Sequence, residues 1–331
     1  MRKYLIFIIL TLVFSSCIKD DEPQFNNTVE GNFDALWHII DTRYCYLDYK
    51  NINWDSIKTV YKLGLTQVKN KYQLFDLFAE MLAELKDGHV NLSSEFDVSR
   101  YWKWYSDYPD NFNSSIIFNE KYLGGNYRIA GGLRYGKIAD GQVGYIYYSS
   151  FSSGFSGANI ASVFQQFADC KGIIIDVRGN GGGIITYAEY LASYFFEKDE
   201  TTGYIYHKTG NGHSDFSEPL PVVTKANLKW QRKVVVLTNR MSFSATNDFV
   251  CRMKYAPHAI IIGDRTGGGG GLPFSSELPI GWSIRFSASP MIDREGNQIE
   301  NGIDPNIKID MDITDNQNDA IIDRAVEEIL E

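Results

Sequence analysis

The sequence is poor in cysteine and lacks clustered basic residues, and these scarcities exclude several classes of protein. Four cysteines occur in 331 residues. Apart from Cys17 they are Cys45, Cys170 and Cys251, an odd and widely spaced set that forms neither a disulfide framework nor a metal site. Lys and Arg number 32 against 41 Asp and Glu, a net charge of −9. Because phosphate binding needs clustered Lys and Arg, we expect no nucleic-acid partner.

The N-terminal apolar run is too short to cross a bilayer comfortably, and residues 1–16 are predicted to be a signal peptide. Arg2 and Lys3 precede the apolar residues 4–14. The following Ser15-Ser16-Cys17 resembles the lipobox of a bacterial lipoprotein, in which the chain is cut before the cysteine and that cysteine is lipidated. A plain secretory signal with an incidental cysteine is the alternative.

Residues 17–28 are polar and predict a tether between the lipidated cysteine and the folded protein. Lys19 and the acidic residues after it are similar to the signal that sends some Gram-negative lipoproteins to the outer face of the outer membrane. We therefore expect an outer membrane lipoprotein that faces the periplasm or the cell surface, with membrane attachment through Cys17.

Residues 29–95 predict a helical region. Apolar residues at helical spacing indicate helices over residues 33–46, 54–61 and 74–85, the last ending at Asp87-Gly88 directly before His89. Residues 96–142 have the turns and polarity of a small β and loop connector.

From residue 143 to residue 331 the pattern predicts an α/β core. Near-continuous apolar runs at residues 143–148, 172–176, 234–238 and 259–263 are typical of buried parallel strands, and helical segments alternate with them. The fold class is therefore α/β, with a βαβ core behind an N-terminal helical region and a small β segment.

A glycine-rich turn follows the strand at residues 172–176 and reads Asp-Val-Arg-Gly-Asn-Gly-Gly-Gly over residues 176–183. Backbone N–H groups at such a turn can face developing negative charge. The Gly-Lys-Ser/Thr ending of a phosphate loop and the spacing of a dinucleotide fingerprint are both missing. A bare tight turn is the alternative.

Two further stretches carry candidate catalytic groups. Ser244 lies where the strand at residues 234–238 leads into a helix, so its hydroxyl could face the positive end of that helix beside the N–H of Ala245. An ordinary helix N-cap is the alternative reading. His89 follows a predicted helix, and histidine is the usual base for a serine nucleophile; a structural histidine is the alternative.

These stretches, in this order, resemble the motifs of the C-terminal-processing (tail-specific) serine protease family. Besides the glycine-rich turn and the serine triplet at residues 242–246, the family's Gly-Asp-x-Thr-x-Gly is similar to residues 263–268. Its closing Gly-Ile-x-Pro-Asn-Ile is similar to residues 302–307. The resemblance covers roughly residues 30–331 and implies a ClpP/crotonase-like core.

The resemblance implies that Ser244 is the nucleophile and that the base is a histidine. Many relatives have a lysine where this chain has Gly269, and no Lys lies between Lys254 and Lys308. The chain is thus more similar to the tricorn-like and retinoid-binding-protein-like branch, whose base is an upstream histidine, matched here by His89.

The chain differs from that branch before the histidine, and its distal carboxylate has to be assigned separately. Tricorn-type enzymes have a serine before the histidine that links it to a distal glutamate, whereas this chain has Gly88. Glu300 is the candidate for the distal carboxylate, and a solvated turn glutamate is the alternative. The stretch between residues 91 and 143 is too short for the PDZ domain of many relatives.

The implied chemistry is acyl transfer on a peptide or protein substrate, with an oxyanion hole formed by the N–H of Ala245 and that of Gly181 or Gly182. No metal or organic cofactor is needed. A catalytically inactive binding lipoprotein on the same fold is the main alternative. A crotonase-type acyl-thioester enzyme is disfavoured because coenzyme A is cytoplasmic. The sequence does not assign an oligomeric state.

Overall fold

A computed structural model describes residues 23–331 of the chain. The predicted signal peptide at residues 1–16, the predicted lipidation site Cys17 and the first part of the tether lie outside the described residues. Within residues 23–331, no helix combines the length and the apolarity that crossing a membrane requires.

The described chain begins with three helices and continues with runs of strands separated by helices. The helices are α1 (Val29–Arg43), α2 (Trp54–Gly64), α3 (Lys71–Ala83), α4 (Lys103–Ser106), α5 (Ser114–Ile117), α6 (Gly157–Gln166), α7 (Ile185–Ser193), α8 (Ala245–Met253) and α9 (Ala320–Leu330). The strands are β1 (Asn91–Ser93), β2 (Arg128–Ala130), β3 (Leu133–Ile138), β4 (Val143–Tyr148), β5 (Gly172–Asp176), β6 (Glu200–Ile205), β7 (Leu220–Thr224), β8 (Lys233–Thr238), β9 (Ala259–Gly263), β10 (Gly271–Glu277), β11 (Ser283–Asp293) and β12 (Ile307–Lys308).

The central sheet of the described chain has the strand order β12-β9-β8-β5-β4-β3-β2. Strands β12, β9, β8, β5 and β4 are parallel, and β3 and β2 add to the edge in antiparallel fashion. The prediction of an α/β fold with a βαβ core is confirmed, and the four buried runs coincide with β4, β5, β8 and β9 to within a residue.

These runs are apolar throughout because both faces of the sheet are covered. Ile173 and Ile175 pack into one cluster with side chains of α6, α7 and α8. Ile174 points to the opposite face and packs into a second cluster with side chains of α9. The central sheet therefore lies between two layers of helix.

The predicted β and loop connector at residues 96–142 contains β2 and β3, which belong to the central sheet. In β3, Leu133 and Tyr135 are paired with Tyr148 and Ile146 of β4 and are buried in the same core cluster. The alternation of buried and half-buried residues along the first part of β3 is what a strand with one covered face requires.

A second sheet, which the sequence pattern did not predict, joins the helical region to the core. Its strand order is β1-β11-β6-β7, and β10 also pairs with β11. Helices α1 and α3 bury Phe33 and Phe78 against this sheet, in one cluster with Trp282 and Phe286. Strand β1 begins two residues after His89, so this sheet fixes where the end of the helical region lies.

The helices of the N-terminal region begin and end where capping groups allow. Helix α1 begins earlier than its apolar spacing indicates because the Thr28 hydroxyl accepts the N–H of Gly31 at 3.0 Å. Helix α3 ends at Ala83, earlier than predicted, and the chain then turns through Lys86 at φ 48°. This turn leads into the segment that ends at His89.

Arg178 in the glycine-rich turn is a structural residue. It is fully buried and pairs with Asp176 at 2.6 Å and with Asp319 at 2.9 Å, both also fully buried. Asp319 caps α9 through the N–H groups of Ile321 and Ile322. The ion cluster therefore joins the end of β5 to the last helix, and the loss of the cation would leave two buried carboxylates unpaired.

Candidate active site

Ser244 occupies a strained turn between β8 and α8. Its backbone has φ 60° and ψ −121°, a conformation that non-glycine residues rarely adopt. The side chain makes no capping hydrogen bond to α8, so the reading of Ser244 as a helix N-cap does not describe this structure. Its Oγ lies 2.9 Å from Nε2 of His89 instead.

The two flanking hydroxyls of the serine triplet are used to build the turn. Ser242 Oγ donates to the Val177 carbonyl at 2.9 Å, and Thr246 Oγ1 donates to Asn180 Oδ1 at 2.7 Å. Both bonds join the turn to the glycine-rich loop. Ser244 is thus the member of the triplet whose hydroxyl is left to face His89.

His89 reaches Ser244 because a buried carboxylate fixes the turn that carries it. Asp87 Oδ1 accepts the main-chain N–H of His89 at 2.7 Å. Asp87 Oδ2 accepts the hydroxyls of Tyr44 at 3.0 Å and of Ser287 at 2.8 Å. Three segments remote from one another in the chain therefore converge on this carboxylate.

His89 is nearly fully buried, and its surroundings favour the neutral imidazole. Burial lowers the pKa of His89 to about 4, against the raising effect of the Asp87 carboxylate and the Gly271 main chain; the Arg285 and Lys50 cations add to the lowering. A neutral imidazole at neutral pH can accept a proton from Ser244, as a general base must.

The other ring nitrogen of His89, Nδ1, has no hydrogen-bond partner of good geometry within residues 23–331, although the Gly271 main chain lies close enough to raise the pKa of the imidazole. A serine at position 88 would not supply one, because a Cβ on Gly88 would lie 2.7 Å from Nε1 of Trp104 and 2.9 Å from the Phe243 ring. Trp104 and Phe243 stack at 4.2 Å and fill the place where the tricorn-type serine would stand.

Glu300 is buried near His89 but is held by other groups. Its Oε1 accepts Lys50 Nζ at 2.8 Å, and its Oε2 accepts the N–H of Gly270 at 2.9 Å. Burial, and then the negative charge of Asp87, raises the pKa of Glu300 to about 7, although Lys50 opposes this. Lys50 also lies 3.7 Å from Asp87, so a lysine stands between the predicted distal carboxylate and the turn of His89.

The predicted oxyanion hole is partly available. Ala245 lines the cavity beside Ser244, and its N–H donates to no partner in the described part of the chain. The N–H of Gly182 is already donated to Asn180 Oδ1 at 3.0 Å. The loop residue that lines the cavity is Gly183. Gly182 is therefore not free to act as predicted in this conformation, and the role of Gly181 stays a prediction.

Ser244 and His89 open onto a cavity of about 150 Å³. Its walls are mostly apolar and come from α7, α8, β10 and β11. Beyond the two candidate catalytic residues, the side chains that line it belong to Ile185, Asp248, Leu272, Pro273, Arg285, Met291 and Ile299.

Several residues of this arrangement were not anticipated from the sequence. Lys50 and Tyr44 lie in the first third of the chain, and Arg285 and Ser287 lie on β11, and no local pattern connects them. Asp87 offered one signal, since it stands two residues before His89, the spacing at which an aspartate side chain can accept a later main-chain N–H.

Two family models match the chain. The model of peptidase family S41 matches residues 142–309, and the model of the tricorn protease C1 domain matches residues 25–83. The first match holds β4 to β12 with Ser244 and the glycine-rich turn, and the second holds the helices that precede His89.

Curated relatives match about half of the chain. The carboxy-terminal processing protease CtpB of Bacillus subtilis is 28% identical over 176 residues, which is 52% of this chain and 35% of that protein. CtpA of the same organism is 25% identical over 180 residues, 54% of this chain and 37% of that protein. The chain thus matches little more than a third of the length of these relatives.

Solved structures match nearly the whole chain. A structure from Parabacteroides merdae ATCC 43184 is 49% identical, with a TM-score of 0.88 over 92% of this chain and 98% of that one. Mature CPAF is 13% identical, with a TM-score of 0.67 over 91% of this chain and 96% of that one. The second likeness concerns the fold alone.

Because of the backbone strain at Ser244, we expect glycine to be more stable than alanine at this position, the reverse of the usual order in a helix. Glycine adopts a positive φ without steric cost, whereas alanine does not, so Ser244→Gly should unfold with a free energy about 1 kcal/mol higher than Ser244→Ala. Urea denaturation followed by tryptophan fluorescence measures the difference.

Ser162, exposed in the middle of α6, is the matched control. There the helix disfavours glycine, so Ser162→Gly should be about 1 kcal/mol less stable than Ser162→Ala. If the glycine variant is the less stable one at position 244 as well, the turn holds no strain of this kind.

Proposed function

The chain belongs to peptidase family S41, and from that membership we propose that it is a serine peptidase that hydrolyses peptide bonds through an acyl-enzyme. The observation that carries the proposal is the 2.9 Å contact between Ser244 Oγ and His89 Nε2. A hydroxyl on a strained turn that contacts a neutral imidazole at the edge of a cavity is the arrangement that an activated serine nucleophile needs.

In the proposed reaction, His89 Nε2 takes the proton of Ser244 as Oγ attacks the carbonyl carbon of the scissile peptide bond. The same imidazole then gives that proton to the departing amine, which leaves an ester on Ser244. Water attacks the ester with His89 again as base, and the acid product and free serine are released.

The N–H of Ala245 is the proposed first donor to the oxyanion, since it has no other partner in the described chain and lies next to the nucleophile. A glycine of the loop at residues 181–183 is the proposed second donor. Removal of one such donor typically slows the acylation step by about a hundredfold or more.

An inactive binding protein on the same fold is less well supported. A binder has no need of a serine at φ 60° whose hydroxyl contacts a histidine and makes no cap, because such strain persists only where the surrounding structure enforces it. The relatives CtpA and CtpB are named as carboxy-terminal processing proteases. We accordingly propose endoproteolytic or carboxy-terminal-processing cleavage for this chain.

Removal of either reacting group should abolish turnover. Ser244→Ala and His89→Ala are each expected to lower kcat/KM on a cleavable peptide by about 10⁴-fold or more, because nucleophile and base act as a unit. A peptide library incubated with the purified protein, with products sequenced by mass spectrometry, supplies the substrate. A fluorophosphonate probe should label the unaltered protein at Ser244.

The exposed residues Ser162 and His258 provide matched controls, and Ser162→Ala and His258→Ala should keep full activity. Circular dichroism verifies that each variant is folded. Full turnover by a folded Ser244→Ala or His89→Ala variant would falsify the proposal.

The low pKa of His89 predicts activity well into the acid range. A base must be neutral to accept a proton. His89 with a pKa of about 4 stays mostly neutral above pH 4, whereas a histidine with the ordinary pKa of 6.5 is already half protonated at pH 6.5. The rate of fluorophosphonate labelling should therefore be constant from neutral pH downward and fall to half near pH 4. A half-maximal rate near pH 6.5, with the fold intact, contradicts the proposed environment of His89.

We also propose that the mature protein is anchored to the outer membrane through a lipid on Cys17. The support is the sequence alone: an apolar run with a basic start, small residues before the cysteine and a polar segment after it. An anchored peptidase would meet its peptide or protein substrates outside the cytoplasm.

Expression in a Gram-negative host with radiolabelled palmitate tests the anchor. The unaltered protein should carry the label and sediment with outer membranes, because one acylated cysteine with its diacylglycerol supplies more than one chain. Cys17→Ser should lose the label and become soluble, and the control Cys45→Ala should not. An unlabelled wild-type protein, or a Cys17→Ser variant that stays in the membrane, removes the proposal.

A further inference from the structure

We infer that Arg285 is a specificity-determining residue that binds a carboxylate of the substrate beside the scissile bond. The inference rests on the proposed peptidase function and adds the chemical class of the substrate. The carboxylate is either the C-terminal carboxylate of a peptide or the side chain of an aspartate or glutamate.

The fold brings Arg285 to the reacting groups. It lies on β11, opposite Asn91 of β1 on one side and opposite Ser275 of β10 on the other. Asn91 is two residues beyond His89, so the sheet register places the arginine next to the turn of the base. Arg285 lines the same cavity as Ser244 and His89.

The guanidinium of Arg285 is half-buried and has no partner of the kind it requires. Among residues 23–331 it makes no hydrogen bond and no ion pair. Burial lowers the pKa of Arg285, and the Asp87 charge opposes this only in part. A guanidinium carries five N–H donors and no acceptor, so those of Arg285 have no partner in the described chain and are available to an acceptor that enters the cavity.

The neighbouring carboxylates do not serve that purpose. Asp87 is occupied by Tyr44, Ser287 and the main chain of His89. Asp248, which also lines the cavity, pairs with Arg252 at 2.8 Å, and both side chains are buried. The unpaired charge that faces the cavity is therefore positive, and a carboxylate fits the planar fork of an arginine with two parallel hydrogen bonds.

A bound carboxylate would also improve the base. Among the charged groups around His89, Asp87 raises its pKa while Arg285 and Lys50 lower it, and Asp248 lies across the cavity as half of an ion pair. A substrate carboxylate on Arg285 cancels part of the lowering. The imidazole then becomes more basic when the correct substrate is in place, which ties recognition to catalysis.

Three synthetic libraries of N-acetylated octapeptides test the inference. The first has free C-termini with Asn and Gln in place of Asp and Glu, the second has amidated C-termini with Asp and Glu included, and the third has amidated C-termini and no acidic residue. The protein should cleave the first or the second with kcat/KM about tenfold or more above the third, as expected for a charge-assisted contact. Which of the two is preferred identifies the source of the carboxylate.

Variants at position 285 assign the preference to the arginine. In Arg285→Gln the ratio between the preferred library and the third should fall to about one, and in Arg285→Glu the cleaved sequences should shift toward Lys and Arg, since the charge is reversed. Arg285→Lys should keep a reduced preference. Arg128→Gln removes an exposed arginine on β2 and is the matched control, with the preference unchanged.

A pH profile supplies a readout that a merely structural arginine would not move. Loss of the Arg285 charge should raise the pKa of His89, so the acid limb of fluorophosphonate labelling should lie at higher pH in Arg285→Gln than in the unaltered protein. In the unaltered protein the acid limb of kcat should lie above that of kcat/KM for carboxylate peptides.

Failure of the inference can be told from failure of the proposed function. Labelling at Ser244 and equal cleavage of all three libraries overturn the carboxylate site and leave the peptidase standing. If neither labelling nor cleavage occurs, the proposed peptidase function is overturned. Binding of fluorescein-labelled peptides from the three libraries to the Ser244→Ala variant then tests the carboxylate site by itself. Tighter binding of the carboxylate peptides, abolished by Arg285→Gln in the same background, supports it, and equal binding overturns it.

Discussion

The buried carboxylate of Asp87 accepts hydrogen bonds from Tyr44 in the helical region, from Ser287 on β11 and from the main chain of His89. Burial of a carboxylate is costly unless its oxygens are satisfied, so these segments must pack together for Asp87 to be buried at low cost. The position of the imidazole is a consequence of that requirement. Ser244, the proposed nucleophile, is placed independently, by the strand-to-helix turn of the α/β core. The site exists where the two constraints meet, at the 2.9 Å contact of His89 with Ser244.

Lys50 extends the same network and changes what Glu300 can do. Its ammonium lies 2.8 Å from Glu300 and 3.7 Å from Asp87, and burial lowers the pKa of Lys50 less than the two carboxylates raise it. Glu300 in turn accepts the N–H of Gly270, in the loop that lines the cavity. In this arrangement Glu300 connects the helical region to the cavity wall, and its effect on His89 passes through Lys50 rather than through a hydrogen bond.

The sequence predicted those parts of the structure that local chemistry determines. Strands β4, β5, β8 and β9 were predictable because a strand covered on both faces must be apolar along its whole length, and Ser244 and His89 because each stands in a motif. The sheet built on β11 was not, since its antiparallel pairs join residues far apart in the chain and its polar alternation is that of many surface strands. For the same reason the sequence did not distinguish Arg285 from a solvated arginine, and it did not predict the ion pair between Lys50 and Glu300.

In the described part of the chain, no carboxylate accepts the N–H at Nδ1 of His89, and this affects how the proposed catalytic site would stabilise charge. Where an aspartate accepts the N–H of the base, the imidazolium formed in the reaction is held by a hydrogen bond. Here Trp104 and Phe243 occupy the approach through Gly88. Burial lowers the pKa of the imidazole, and the charge of Asp87 opposes this while the cations of Lys50 and Arg285 add to it. The imidazolium is therefore costly in the free protein. If His89 is the base, as proposed, such a site would gain most from a substrate that brings its own negative charge, because that charge would stabilise the imidazolium as it forms.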